Sequence, residues 1–251
     1  MEKITFKNSR GQKLVGILEL PKEENPPVII CLSGLNGHKT YYSFINKLTE
    51  NLLKKGYAIF RFDYNSHGES DNDWKNFTRK SCKEDFEAAI EFVKTKGINK
   101  NKIGIFGTSM GGSTFIQSPR EIKAAILHNP YLLPSLYRQW IGKYEGEILR
   151  RGYIEYTQRS TGKVIKWGMP LFEESMNLDI TPEAKNVECP TLIIFGEKDK
   201  ISKEQREEIY NLFNCEKEMV IIKDMPHNIT TPEQDVEISK LSLNWFNYYL
   251  K

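Results

Sequence analysis

Strand-length apolar runs alternate with helix-length amphipathic runs along most of this chain, an order that points to a layered α/β architecture. PPVIICLSG is a nearly continuous apolar run ending in Gly, as a strand buried on both faces should be. YYSFINKLTENLLKKG follows, with Phe44, Ile45, Leu48, Leu52 and Leu53 on one helical face and Gly56 as its stop. YAIFRFDY and CKEDFEAAIEFVKTKG repeat the pair, the helix carrying Phe86, Ala89, Ile90 and Val93 at helical spacing. KIGIFG, SMGGSTFIQ and KAAILHNP continue it, and CPTLIIFG, KEQREEIYNLF and EMVIIKD resume it later. PEQDVEISKLSLNWFNYYLK closes as a helix with Pro232 in its first turn. ITFKN and KLVGILEL, joined by SRGQ, read as an opening antiparallel hairpin. The expected fold is a mostly parallel central sheet flanked by helices.

Composition narrows the function classes. At 251 residues, 39% hydrophobic and 27% charged, the chain suits one large globular domain carrying an insertion, not a disordered or fibrous segment. Lys and Arg number 36 against 33 Asp and Glu, and most lie beside an acid, so a solvated surface is expected and no nucleic-acid partner. No run approaches the roughly 18 apolar residues of a membrane span. MEKITFKNSRG lacks the apolar core of a signal peptide. Cys31, Cys82, Cys189 and Cys215 form no C-x-x-C pair, which fits reduced thiols in a cytoplasmic protein. The four histidines stand far apart with no ligand partner at metal spacing, so neither a metal nor another cofactor is expected.

The alternation breaks between Tyr131 and Asn177, where eight aromatic residues fall within 47 positions. YIEYTQRSTGKVIKW reads as a hairpin turning at Ser160-Thr161-Gly162. The division expected is a core of residues 1–130 and 178–251 with a cap or lid at 131–177. A plain insertion with its own small core is the alternative.

Candidate chemistry starts at Gly107-Thr108-Ser109-Met110-Gly111. A strand, KIGIF, precedes it and a small-residue helix start follows, the setting a nucleophile elbow requires. The serine sits on a strained turn where Cβ atoms two residues to either side would collide as strand and helix close together; Gly107 and Gly111 remove them. A serine hydroxyl needs a base. His227, after the strand-like run EMVIIKD, stands at the sheet edge where ligands bind in open α/β folds. His38 reads as a loop residue near the site mouth, His67 as an organiser of its own turn, and His128 as a strand end beneath the site. The acid that orients the base is Asp199, directly after PTLIIF and 28 residues before His227, giving the order Ser…Asp…His. Glu197 is its nearest rival, and Asp224 suits a local turn.

Taken together these motifs resemble the α/β-hydrolase superfamily over nearly all of the chain outside 131–177. FRFDYNSHGES is similar to the family's strand-plus-turn signature ending in Gly-His-Gly-x-Ser, with Ser66 where the first Gly usually stands. FGEKD resembles the acid turn and DMPH the histidine loop. The family's oxyanion loop often reads His-Gly-x-x-Gly; here Ser33-Gly34-Leu35-Asn36-Gly37 puts Ser33 at the usual His, which bears on how the loop is braced. By resemblance the oxyanion donors are the backbone N–H groups of Leu35 and Met110. Serine rather than aspartate at the elbow argues against dehalogenase or epoxide hydrolase chemistry.

The insert is similar to the cap of microbial cinnamoyl (feruloyl) esterases in its length, its hairpin and its aromatics Trp140, Tyr144, Tyr153, Tyr156 and Trp167. Trp140, Tyr153 and Trp167 are candidate substrate-binding rings, unless they fill the cap's core. The resemblance implies a serine carboxylic-ester hydrolase acting on small, aromatic (hydroxycinnamoyl) esters. A monoacylglycerol lipase or short-chain carboxylesterase is the alternative. A serine exopeptidase would hold a free amine with acids such as Glu145 and Glu147, and a non-catalytic hydrolase-fold binding protein would have little reason to keep the triad. The partner expected is a small-molecule ester; oligomeric state is open, a homodimer included.

Overall fold

Strands that are apolar on both faces need a sheet covered on both sides. That is the arrangement in the computed structural model, which describes residues 1–41, 43–71, 73–119, 121–158 and 161–251. β1 (Glu2–Lys7) and β2 (Lys13–Glu19) form the opening hairpin, followed by β3 (Val28–Leu32), α1 (Ser43–Leu53) and β4 (Ala58–Asp63). A 3-10 turn at Trp74–Asn76 leads to α2 (Arg79–Lys94), β5 (Ile103–Thr108), α3 (Met110–Ile116) and β6 (Ile122–His128). Next come α4 (Pro134–Gly142), α5 (Glu145–Arg151), β7 (Tyr153–Thr157), β8 (Val164–Gly168), α6 (Met169–Asn177) and α7 (Thr181–Ala184). β9 (Thr191–Gly196), α8 (Lys203–Leu212), β10 (Lys217–Ile222) and α9 (Pro232–Leu250) complete the chain.

Eight strands make one sheet in the order β1-β2-β4-β3-β5-β6-β9-β10. β2 runs antiparallel to β1 and β4, and every pairing from β4 to β10 is parallel. The fold is the mostly parallel sheet with flanking helices that the sequence predicts. Every residue of β3 is buried, and its side chains alternate between two layers. Val28, Ile30 and Leu32 join the core with Phe86 and Val93 of α2 and Phe115 of α3. Ile29 and Cys31 join Phe44 and Leu48 of α1 and Ile238 and Phe246 of α9. Each such fully buried aliphatic or aromatic side chain contributes roughly 1.5–3 kcal/mol relative to exposure.

The 131–177 segment contains the hairpin, with β7 antiparallel to β8 from Tyr153 opposite Gly168 to Thr157 opposite Val164. Ser160 of its predicted turn lies outside the described residues; Gly162, at φ 69°, donates its N–H to Gln158 O at 2.8 Å. Three helices, α4, α5 and α6, are unforeseen by the sequence reading, each only seven to nine residues long. The segment's apolar side chains, including Leu136, Ile141, Ile148 and Leu171, belong to the same core as α2 and α3, so among the described residues it is built onto that layer and has no separate core. Two contacts fasten it. A Cβ on Gly168 would overlap Lys75 O, so the hairpin presses on the 3-10 turn. Glu174 of α6 accepts the N–H groups of Arg79 and Lys80 at the N-terminus of α2, where the helix dipole favours a carboxylate.

Candidate active site

The chain passes from β3 to β4 on one side and returns to β5 on the other, so the loops after β3 and β5 meet where strand order reverses. Ser109 lies there, between β5 and α3. Its backbone, φ 53° and ψ −113°, is a conformation non-glycine residues avoid, and strain of this kind clusters at functional turns. A Cβ on Gly107 would come within 3.0 Å of Gly111 C and Gly112 N, the strand–helix collision the sequence suggests. Gly111 is needed for a different neighbour: its Cβ would overlap Leu32 O of β3. Ser109 N–H donates to His128 O at 2.9 Å, fixing the turn to β6.

The turns after β9 and β10 bring Asp199 and His227 to the same edge. His227 Nε2 lies 3.1 Å from Ser109 Oγ, and His227 Nδ1 lies 2.5 Å from Asp199 Oδ2. An ionised carboxylate only accepts, so Nδ1 carries the hydrogen and Nε2 is free to take one from the serine. Burial pushes the Asp199 carboxyl up, yet the hydrogen bond and charge of His227 and the Ile201 N–H (2.9 Å) together hold it below the usual carboxylate range. Both rivals are engaged elsewhere. Glu197 accepts Asp224 N–H at 2.9 Å, and Asp224 pairs with Lys198 at 2.6 Å. Tyr131 sets its ring edge-on to His227, centroids 5.3 Å apart.

The remaining histidines are spread around this centre. His67 is buried among Tyr64, Trp74 and Phe77, with Nδ1 donating to Asn65 O at 3.0 Å; burial pushes it down to about 4. His128 is buried at the end of β6, and burial, then the charge of His227, pushes it down to about 3. His38 sits in the loop after β3, its Nδ1 3.2 Å from Thr40 Oγ1.

Leu35, half-buried, lies in a turn closed by Gly37 N–H to Gly34 O at 3.0 Å, and Met110 is the first residue of α3. What braces the Leu35 loop went unforeseen by the sequence reading. Asp63, fully buried at the end of β4, accepts Lys39 N–H at 2.7 Å, Lys39 Nζ at 2.6 Å and Glu69 N–H at 3.0 Å. Lys39 Nζ also reaches Glu69 at 2.6 Å. Gly68, at φ 49°, passes so close that a Cβ would overlap Asp63 Oδ2. The aspartate inside FRFDY and the glycine of Ser-His-Gly-Glu-Ser are the visible traces of this clamp.

Of the three candidate substrate rings, Trp140 and Trp167 meet in one aromatic cluster, and Tyr153 lies among cationic side chains. Trp167 is 1% exposed, stacked on Tyr156 at 4.2 Å and 16°, with Trp140 at 5.2 Å and Tyr144 at 6.1 Å. Such a ring has no free face for a ligand. Trp140 is half-buried at the margin of that cluster. Tyr153 is flanked by Lys75, Arg151 and Lys166, all within 5.0 Å of its ring centre, and its hydroxyl accepts from Arg151 at 3.1 Å. Of the two acids suggested for an amine, Glu145 is exposed and Glu147 pairs with Arg151 at 2.9 Å.

The model of the family described as serine aminopeptidase, S33, matches residues 24–163, more than half of the chain. The chain belongs to this α/β-hydrolase family. Ser109 lies within the match, and Asp199 and His227 beyond it. No curated protein matches the sequence. Among solved structures, the fold is similar to the α/β hydrolase GrgF from a Penicillium species (TM-score 0.81, 18% identity, covering 99% of this chain and 98% of that one). It is equally similar to Est1E from Butyrivibrio proteoclasticus, solved with ferulic acid bound (TM-score 0.81, 21% identity, 97% and 99% covered). An esterase from Pyrococcus furiosus matches with TM-score 0.74 and 18% identity, over 100% and 91% of the two chains. Membership of this family makes the chain a hydrolase.

Proposed function

We propose that the protein is a serine carboxylic-ester hydrolase working through an acyl-enzyme, with small aromatic esters of the hydroxycinnamoyl kind as substrates. The observation that carries it is the hydrogen-bonded line from Ser109 Oγ through His227 to Asp199, 3.1 and 2.5 Å long. In this reading Ser109 Oγ attacks the ester carbonyl carbon while its proton passes to His227 Nε2. Asp199 holds the ring in the right tautomer and stabilises the imidazolium. The carbonyl oxygen gains its negative charge facing the N–H groups of Leu35 and Met110. The C–O bond to the alcohol breaks as His227 returns the proton to that oxygen. Water, deprotonated by His227, then releases the acid and restores the hydroxyl.

Residues 131–177 act as a cap over this edge, packed on α2 and α3. The aromatic acyl preference is supported by the aromatic content of that segment, by the half-buried Trp140, and by likeness in fold to the ferulic acid-bound Est1E. The family's name favours one second reading, a serine aminopeptidase. It requires an acid free to hold the substrate's amine; Glu147 is already paired with Arg151, which leaves that role to the exposed Glu145.

A panel of methyl ferulate, p-nitrophenyl esters of graded length, a monoacylglycerol and an aminoacyl anilide tests the substrate class. Ferulate should lead; a lead for the monoacylglycerol or the anilide replaces the reading with a lipase or a peptidase. Ser109→Ala should lose several orders of magnitude in rate while remaining folded, and a fluorophosphonate should label Ser109 alone. Near-normal turnover in Ser109→Ala removes the hydrolase mechanism.

A further inference from the structure

Asn129 touches none of the atoms that react in the proposed mechanism, yet it is fully buried where the three loops of that mechanism converge. It follows β6 directly, at φ 44°, a left-handed backbone that asparagine tolerates better than most residues. Its side-chain carbonyl accepts the N–H of Gly196, three residues before Asp199, at 2.8 Å. Its side-chain NH₂ donates to His227 O at 2.9 Å and to Pro226 O at 3.4 Å, and lies 3.1 Å from His128 Nε2. Its own N–H is held by Ile194 O of β9 at 2.8 Å.

The chemistry of these partners selects an amide. Gly196 offers a donor and His227 an acceptor, and a planar amide satisfies both from one fixed position. A carboxylate of the same shape could serve the first but would face the His227 carbonyl with an oxygen. The acid turn and the histidine loop already run backbone against backbone: a Cβ on Gly196 would overlap Met225 O, and Lys198 N–H donates to Met225 O at 2.9 Å. On the other side, His128 O accepts Ser109 N–H at 2.9 Å. Two consecutive residues, His128 and Asn129, therefore tie down the turn of the serine, the turn of the acid and the backbone of the base.

We infer that Asn129 is a positioning residue that sets the register of His227 against Asp199 and Ser109, an inference that rests on the proposed serine-hydrolase mechanism. His227 sits in a loop between β10 and α9, so its carbonyl anchor decides where the imidazole stands. A displacement of about 1 Å at such a site costs on the order of 100-fold in turnover.

Two variants test it. Asn129→Gly removes the amide and keeps a residue at ease at φ 44°; Asn129→Asp keeps the shape and loses the donor. With p-nitrophenyl acetate, both should lose about 100-fold in kcat with KM within about threefold, and fluorophosphonate labelling of Ser109 should slow in parallel. For Asn129→Asp the ratio of its rate to that of the unaltered enzyme should rise as pH falls, because a protonated carboxyl regains one donor. Folded variants, by thermal midpoint, that match the unaltered enzyme in kcat and labelling overturn the inference. So does a loss that follows only the thermal midpoint, with no pH dependence of the Asn129→Asp ratio. An unaltered enzyme that no fluorophosphonate labels overturns the proposed function itself, which separates the two failures.

Discussion

Replacing Trp167 with alanine distinguishes a ring that holds the 131–177 segment together from a ring that grips a substrate. The ring is 1% exposed and sits between Tyr156, stacked at 4.2 Å, and the edges of Trp140 and Tyr144. Truncating a buried Trp to Ala costs about 3–5 kcal/mol, the lost transfer energy plus the cavity left behind. For a chain of this length each kcal/mol moves the thermal midpoint by roughly 2–4 °C, so Trp167→Ala should melt about 6–20 °C lower. The ring shares its core with α2 and α3, so the loss should register in global unfolding and not only in the segment. Well below the new midpoint, rates on methyl ferulate and p-nitrophenyl acetate should change by the same factor, since no face of Trp167 is open to either. Scanning fluorimetry and initial rates at 20 °C suffice. A selective loss of ferulate hydrolysis at an unchanged midpoint would refute the reasoning and make Trp167 a pocket wall. Trp140→Ala is the contrast: a half-buried ring at the margin, it should lose ferulate selectively while melting close to the unaltered enzyme.

Other expectations follow from single contacts. Asp63→Asn should free the loop that carries Leu35, because the Lys39 ammonium loses its buried counter-charge; kcat should fall by one to two orders of magnitude with KM little changed, and an unchanged kcat rejects the clamp. Gly196→Ala should push the acid turn off the histidine loop at Met225 O, costing about 1–3 kcal/mol of stability and more than tenfold in rate; a crystal structure with both loops unmoved contradicts this. Stability should rise with pH between 5 and 7, since His67 and His128 titrate near 4 and 3 when folded but near 6.5 when unfolded. The unfolded chain therefore binds more protons in that window, and each imidazole takes away roughly 2 kcal/mol on going from pH 7 to 5. Urea unfolding that gives the same free energy at both pH values rules this out.

What could be read from the sequence was whatever lies contiguous along it. The strand and helix runs carry their own periodicity, and Gly107 to Gly111 announces a tight turn because the steric demand is met by neighbours two residues away. Ser109, Asp199 and His227 could be picked out one at a time, each from the strand that ends just before it. The short helices of 131–177 were not legible: seven to nine residues give two turns, too few for a face to declare itself, and their aromatics bury against α2 and α3 as well as one another. For the same reason Trp167 looked like a ligand ring, because burial depends on Tyr156 and Trp140 arriving from other elements. Lys39, Asp63 and Asn129 are the deeper case. Each is a common residue in an unremarked position, and its role exists only after loops from β3, β4, β6, β9 and β10 have met at one edge of the sheet. The residues proposed to react could be named from local context, whereas those that hold them in register needed the assembled sheet. Substitutions at Asp63 and Asn129 should therefore impair turnover while leaving every recognisable motif in the sequence intact.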